Sequence, residues 1–126
     1  MNMPENLKYA ATHEWAYLDD EGIVRVGITD FAQSELGDIV FIGLPDVGRS
    51  VSVGEAIAVI ESVKTASDLH APVAGTVVEI NEALQDEPER VNDDAFATWL
   101  FAIRADDASQ LDALLDAEAY QQSIDA

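Results

Sequence analysis

Apolar and polar residues alternate over short stretches in the first eighty positions of the chain, and a period of two predicts β-strands. In the segment 22–28, GIVRVGI, this alternation places Val24, Val26 and Ile28 on one face. Further strands are predicted within 38–44, 47–62, 75–81 and 98–104. Glycine, proline and aspartate separate the runs, and the DDEG cluster predicts a hairpin turn. Many short strands at close spacing indicate a sandwich or a small barrel.

A short helix is predicted to interrupt the strands at 29–38. Thr29 or Asp30 is its expected N-cap, and Gln33 follows Asp30 at the spacing of a capping box. Gly37 supplies a C-terminal stop. The apolar residues of this segment form no continuous stripe, so we expect the helix to be short.

The last part of the chain predicts a longer helix, 106–124. Asp106 or Asp107 is its expected N-cap, and an apolar stripe at helical spacing is formed by Leu111, Leu114 and Leu115. We expect this stripe to pack against the rest of the protein. The acidic segment 81–94 is predicted to be a connecting loop broken by Pro88.

Length and composition narrow the class of protein. A chain of 126 residues fits a single domain, 1–126, and 48% apolar residues indicate that it folds. The absence of cysteine excludes disulfides, thiolate zinc sites and cysteine nucleophiles. No apolar run approaches the length of a membrane span, and the first ten residues lack a secretory signal pattern. These features predict a cytoplasmic protein with no membrane partner.

The formal net charge of −19 makes nucleic acid an unsuitable partner, because phosphate binding needs a basic face. An anionic membrane surface is disfavoured for the same reason. Acidity keeps a protein soluble and can attract basic partners, but it identifies no site.

The sequence offers no pattern of a catalytic or metal site. The two histidines, His13 and His70, lie far apart, whereas a metal site usually needs three or four ligands in a defined geometry. No acidic cluster has calcium-loop spacing, and neither a glycine-rich phosphate loop nor a nucleophile elbow is present. We therefore predict neither a catalytic residue nor a metal ligand.

Lysine is scarce in this chain, since Lys8 and Lys64 are its only two. Lys64 lies between Val63 and Thr65, and the apolar segments on both sides predict a hairpin with this lysine at its tip. An ordinary surface lysine is one interpretation. The other is a modifiable lysine, because an enzyme that acylates one amine needs it projected from a rigid turn. The pattern thus suggests a β domain that carries a modified lysine.

Four blocks of sequence carry a resemblance to a known family. They are LKYAATHEW (7–15), VGITDFAQSELGDIVFIGLPDVG (26–48), ESVKTASDLHAPVAGTVVEINEAL (61–84) and LDALLDAEAY (111–120). In order and spacing they resemble the H protein family of the glycine cleavage system, whose members are lipoyl carriers. The resemblance implies a mainly β fold with short helices: a flattened barrel-sandwich hybrid with the modified lysine at a hairpin tip, followed by C-terminal helices.

The resemblance also implies a non-catalytic carrier. Lys64 would hold lipoate as an amide and shuttle the aminomethyl group of glycine. The donor would be the pyridoxal-phosphate glycine decarboxylase (P protein), and the acceptor the tetrahydrofolate-dependent aminomethyltransferase (T protein). Dihydrolipoamide dehydrogenase (L protein) would reoxidise the arm, and a lipoate-attaching enzyme would install it. In such systems the cofactor supplies the chemistry and the protein presents and protects it.

Individual site residues carry over from the family. The residues that match the motif around the modified lysine are Glu61, Ser62, Val63 and Asp68, and this motif helps an attaching enzyme to choose Lys64. Glu14 and Asp68 resemble positions that hold the loaded arm in a surface cleft, where a carboxylate would attract its cationic amine. The alternative for Glu14 is a solvated charge or a packing neighbour of Trp15.

One segment, NDDAFATWL at 92–100, departs from the family pattern. Ala95 stands in place of proline and Phe96 in place of tyrosine, the glycine before Trp99 is absent, and the run is one residue shorter. The shape of this loop and any hydroxyl contact it makes are therefore open. Lys64 and its turn are unaffected.

Four alternatives remain at the level of sequence. A biotinyl domain carries its lysine at a similar turn, but typically between methionines. A lipoyl domain of a 2-oxoacid dehydrogenase lacks the HEW block and the C-terminal helices. A lipoyl relay, which donates or accepts lipoyl groups for other enzymes, has the same residues as the carrier. An enzyme in its own right would turn over a substrate without partners.

Overall fold

A computed structural model describes residues 4–125. Within them the strands are β1 Lys8–Tyr9, β2 Glu14–Leu18, β3 Ile23–Ile28, β4 Ile39–Gly43, β5 Ser50–Val51, β6 Ala56–Ser62, β7 Ala66–His70, β8 Gly75–Ile80 and β9 Phe101–Ala105. The helices are α1 Asp30–Leu36, α2 Ala83–Asp86, α3 Arg90–Asp93 and α4 Ala117–Asp125. Two 3₁₀ helices span Ala95–Ala97 and Ala108–Ala113.

The strands form two antiparallel sheets. One has the order β1-β2-β3-β9-β8-β5, and the other has the order β4-β6-β7. Buried apolar residues of both sheets belong to one cluster, so the sheets face each other across a shared core. The expected mainly β fold with short helices is confirmed.

Strand β3 shows how the alternating pattern builds this core. Val24, Val26 and Ile28 are fully buried, as the period of two predicts. The opposite face receives Trp15 from β2, whose indole lies across Gly27. A Cβ atom at Gly27 would lie 2.5 Å from the indole ring, so a side chain there would displace Trp15.

Helix α1 begins and ends close to the predicted residues. Thr29 is the N-cap, because its hydroxyl accepts a hydrogen bond from the backbone N–H of Ala32 at 3.2 Å. Gly37 is the C-cap, and its N–H donates to the carbonyl of Gln33 at 3.0 Å. The side chain of Gln33 donates to the Asp30 carboxylate and does not complete a capping box.

The prediction of an acidic loop at 81–94 is wrong. This segment folds into α2 and α3, separated by Pro88. Leu84 and Val91, one from each helix, are fully buried in the main core. Burying two apolar side chains stabilises helical turns that are too short to persist alone.

The prediction of one helix over 106–124 is also wrong. The chain forms the 3₁₀ helix Ala108–Ala113, becomes extended at Leu114, and begins α4 at Ala117. The break occurs because Leu115 and Tyr9 exchange two backbone hydrogen bonds of 2.8 Å. This pairing satisfies the edge of β1, which a continuous helix would leave unpaired.

Helix α4 packs on the outer side of β1 and β2 through a second apolar cluster, whose buried members are Leu7, Tyr9, Trp15 and Tyr120. The rings of Tyr9 and Tyr120 are stacked, with centroids 4.9 Å apart and planes 11° apart. The C-terminal helix is thereby fixed to the strand that carries Glu14.

Candidate functional site

Lys64 lies in the turn of the hairpin formed by β6 and β7, as expected. Glu61 pairs with Ala66, and the N–H of Ser62 donates to the carbonyl of Thr65 at 2.8 Å. Three residues, Val63, Lys64 and Thr65, close the turn and are exposed. The lysine is therefore presented to solvent on a hydrogen-bonded hairpin.

The hydroxyl of Ser62 organises this turn. It accepts hydrogen bonds from the backbone N–H groups of Lys64 and Thr65, each at 3.2 Å. It also donates to the carbonyl of Thr65 at 3.2 Å. A serine hydroxyl has one donor and two acceptor sites, so all of its hydrogen-bonding capacity is used here. Ser62 thus fixes the backbone on both sides of Lys64.

A second contact joins the turn to the end of α1. The N–H of Val63 donates to the carbonyl of Asp38 at 3.0 Å. Gly37 has a φ of 80°, and a Cβ atom at this position would lie 3.0 Å from Cε of Lys64. The positive φ at this position favours glycine, and the stem of Lys64 lies against it.

Asn92, which lies in the atypical 92–100 segment, stabilises the contact between the Lys64 turn and the end of α1. Its amide nitrogen donates to the Gly37 carbonyl at 2.8 Å and to Oε1 of Gln33 at 2.9 Å. Its amide oxygen accepts from the N–H of Ile39 at 2.9 Å. Sequence analysis assigned no role to Asn92, because its partners lie more than 50 positions away in the chain.

A cleft of about 380 Å³ opens between α1 and β7, the strand that follows the Lys64 turn. Its apolar wall is formed by Ile28, Phe31, Ala32, Leu36, Ile60 and Leu69. Its polar lining residues are Thr12, His13, Glu35, Ser67 and Asp68. Asp68 is exposed and lies on β7, four residues after Lys64 in the sequence.

Glu14 lies behind this cleft and not in its lining. Its side chain is 1% exposed, so its interpretation as a solvated charge is wrong. Oε2 accepts from the N–H of His70 at 2.9 Å and lies 3.2 Å from Nδ1 of the same histidine. Oε1 accepts from the hydroxyl of Thr12, which lines the cleft. Glu14 therefore connects β2 to the last residue of β7.

His13 is a cleft residue to which the sequence analysis gave no role. Its φ is 75°, the only positive value for a residue other than glycine within 4–125. Its ring lies 4.9 Å from the ring of Phe31, and its Nδ1 lies 2.7 Å from the hydroxyl of Tyr120. That hydroxyl also lies 2.7 Å from Oγ1 of Thr29. Helix α4 thus positions the cleft residue His13 through the hydroxyl of Tyr120.

Burial changes the acidity of the two stacked phenols. It raises the pKa of Tyr9 from 10.0 to about 12, with a further contribution from nearby Tyr120. Burial also raises the pKa of Tyr120, against the lowering effect of its hydrogen bond to Thr29. Both phenols therefore favour the neutral form in the folded protein.

This shift predicts a loss of stability in alkaline solution. The unfolded chain releases the Tyr9 proton near pH 10 and the folded chain only near pH 12, so stability is retained below pH 10 and lost above it. We expect Tyr9 to account for a fall of about 2 kcal/mol in the free energy of unfolding by pH 12. Urea titrations at several pH values measure it. Tyr9→Phe should flatten the fall, and the exposed-site control Tyr17→Phe should leave it in place; equal slopes in both variants would contradict the assignment.

No group of three or more histidine, aspartate or glutamate side chains within 4–125 is arranged to hold a metal ion. Among the helices of the same residues, none has both the length and the apolar character needed to cross a membrane.

Comparison with known proteins gives one consistent result. A family model described as glycine cleavage H-protein matches residues 7–126. The glycine cleavage system H protein of Alteromonas mediterranea is 56% identical over 125 residues, covering 98% of this chain and 97% of that protein. The corresponding protein of Methylococcus capsulatus is 57% identical over 120 residues, covering 95% and 94%.

A solved structure agrees with the sequence relatives. The crystal structure of a glycine cleavage system H protein from Mycobacterium marinum superimposes with a TM-score of 0.88 at 38% identity. The match covers 98% of this chain and 100% of that chain. The expected barrel-sandwich hybrid fold is confirmed by this similarity.

Proposed function

The chain belongs to the glycine cleavage H-protein family, the non-catalytic lipoyl carriers of the glycine cleavage system, and we propose that Lys64 is its point of lipoyl attachment. The observation that carries this proposal is the presentation of Lys64 on an exposed turn that Ser62 holds in one conformation. The only other lysine, Lys8, lies half-buried in β1 and pairs with Ala16. Lys64 is thus the better exposed of the two lysines.

The family motif has a local role in this proposal. Ser62 fixes the turn, Val63 tethers it to Asp38, and Glu61 closes the strand pairing before it. An attaching enzyme would then meet a rigid backbone on both sides of the amine. Binding a pre-organised turn avoids the entropy cost of ordering a flexible one.

The cleft beside β7 is the proposed resting place of the arm. When attached, the lipoyl group supplies the disulfide that takes up and releases the aminomethyl cargo. The apolar wall of the cleft favours burial of the hydrocarbon arm. Asp68 offers an exposed carboxylate to the cationic amine. The buried carboxylate of Glu14 lies behind the apolar wall and accepts a hydrogen bond from the N–H of His70.

Membership of the system implies partner enzymes, and we propose four of them. They are the pyridoxal-phosphate glycine decarboxylase (P protein), the tetrahydrofolate-dependent aminomethyltransferase (T protein), dihydrolipoamide dehydrogenase (L protein) and a lipoate-attaching enzyme. The flexible arm raises the local concentration of its reactive end at each partner's site. The proposal places the carrier in the cytoplasm as a single domain, 1–126, with neither nucleic acid nor a membrane as partner.

Peptide mapping of the protein from its native cell tests the proposal. We expect one lipoyl group, in amide linkage, on the peptide that contains Lys64, because Lys8 is partly covered within a strand. The Lys8 peptide of the same sample is the internal control. Biotin on Lys64, or a lipoyl group on Lys8 beside an unmodified Lys64, would overturn the proposal.

A further inference from the structure

Strand β4 contains a β-bulge beside the Lys64 turn. Ile39 pairs with Ser62 and Phe41 pairs with Glu61, so Val40 is an extra residue without a partner of its own on β6. Regular alternation would place Val40 and Phe41 on opposite faces. Because of the bulge both point outward, and their exposed fractions are 56% and 49%. Their neighbours Ile39 and Ile42 remain buried.

These two side chains extend the exposed apolar surface of the turn itself. Val63, which directly precedes Lys64, is 68% exposed, and its N–H is bonded to the residue just before β4. The Phe41 ring extends the surface along the sheet, since a Cβ atom at Gly43 would lie 3.4 Å from it. We call Val40, Phe41 and Val63 the apolar shoulder of Lys64.

Exposed carboxylates lie on the elements that adjoin the apolar shoulder. Glu35, Asp38 and Glu61 are exposed and lie on α1, before β4 and on β6. None of them takes part in the ion pairs found among residues 4–125, which involve Arg25, Arg49, His70 and Arg90. An apolar centre with an unneutralised acidic rim complements a surface that is apolar in the middle and basic at its edge.

We propose that the apolar shoulder is the docking surface for the enzyme that attaches the lipoyl group to Lys64, an inference that rests on the proposed function. In that reaction Nζ of Lys64 attacks the carbonyl carbon of an activated lipoyl donor, an acyl adenylate or a carrier thioester. The amide bond forms and the activating group leaves with the bonding electron pair. Nζ, which attacks as the neutral amine, gives one proton to base and keeps the other as the amide N–H. Nζ must therefore enter the enzyme's active site, so the enzyme covers the turn and the apolar shoulder next to it.

The other partners act on the far end of the arm. They reach it at the length of the arm from Lys64, so contact with the residues that adjoin Nζ is not a requirement of their chemistry. This difference in reach assigns the apolar shoulder to the attaching enzyme.

The test compares Val40→Thr/Phe41→Thr with the parent. Threonine retains the β propensity of the strand while removing most of the apolar contact area. The matched control is Val47→Thr, because Val47 is 58% exposed but lies beyond the opposite end of β4. Unmodified carrier is titrated against a purified lipoate-attaching enzyme with its activated donor, and intact mass measures the product. Melting temperatures verify folding, and the single variant Phe41→Thr replaces the double variant if that does not fold.

We expect the KM of the double variant to rise about tenfold with kcat unchanged, since truncating an apolar interface anchor costs about 1.4 kcal/mol or more. The control should stay within about twofold of the parent, as scattered surface substitutions do. For the parent, added salt should raise KM, because an acidic rim is screened. Unchanged KM in the double variant overturns the proposal.

Two further outcomes separate the possible occupants. If attachment is normal but the lipoylated double variant fails in decarboxylation with the glycine decarboxylase, the apolar shoulder belongs to that enzyme and the proposal is wrong. If sedimentation shows that the parent self-associates and the double variant does not, with attachment unaffected, a second copy of the chain is the occupant. A parent that takes its lipoyl group elsewhere than Lys64 overturns the proposed function together with this inference.

Discussion

Replacing Lys64 by arginine should abolish both lipoylation and support of glycine decarboxylation, while the melting temperature remains that of the parent. The guanidinium of arginine stays protonated and offers no amine for acylation. Lys64 is exposed, and its backbone contacts through Ser62 do not depend on its side chain. We therefore expect a change in the free energy of unfolding of no more than about 0.5 kcal/mol.

Intact mass after incubation with the attaching enzyme measures lipoylation. Glycine decarboxylation by the reconstituted partner enzymes measures the carrier function. Lys8→Arg is the matched control, because it removes the only other lysine and should be lipoylated at the parent's rate. A lipoyl group on the Lys64→Arg chain, or substantial decarboxylation with it, would show that the carrier function does not depend on Lys64.

Replacing Glu14 by alanine should destabilise the fold by about 3 kcal/mol. The side chain is buried and accepts hydrogen bonds from His70 and Thr12, so its removal leaves the N–H of His70 without its acceptor. Glu14→Gln keeps the shape and one carbonyl oxygen toward His70, and we expect it to cost about 1 kcal/mol. Urea denaturation of the two variants measures the difference; equal stability of Glu14→Ala and the parent would contradict the structural role.

The glutamine variant then isolates the electrostatic role of Glu14. It should be lipoylated normally, but the loaded carrier should release formaldehyde faster once the decarboxylase is removed. The parent's advantage should persist as salt rises, since a buried carboxylate is screened much less than an exposed one. If both release formaldehyde equally fast at low salt, the charge of Glu14 does not protect the cargo, and Asp68 remains the proposed carboxylate.

The strands that the alternating pattern predicted are those whose inner faces form the core. Val24, Val26 and Ile28 show this directly, because their burial depends on a period of two that is visible in the sequence. Lys64 could be identified because lysine is scarce in this chain and because of the motif around it. Its position at a hairpin tip depends on residues within a few places of it, which local sequence can specify.

The features that could not be predicted depend on distant partners. The break before α4 depends on backbone hydrogen bonds to Tyr9, and the carbonyl of Gly37 is bonded by the side chain of Asn92. The bulge at Val40 lies in a run of four apolar residues, 39–42, in which no alternation marks the outward-facing side chains. Glu14 and the acidic residues around Lys64 are side chains of the same chemical type. The sequence therefore could not show which carboxylate is buried and which are exposed.

The phenol of Tyr120 has a consequence for the order in which the protein can mature during synthesis. His13 and Tyr120, which meet at one hydrogen bond, are 107 positions apart. A nascent chain that has reached residue 100 already contains the whole Lys64 hairpin, α1 and Asn92, but it lacks the side chain that holds His13. Such a chain also lacks β9, which lies between β3 and β8 in the sheet, so it can complete neither the fold nor the cleft wall. Protection of the arm therefore begins only after translation has supplied α4, so a chain truncated before Tyr120 would carry an arm that it cannot shelter.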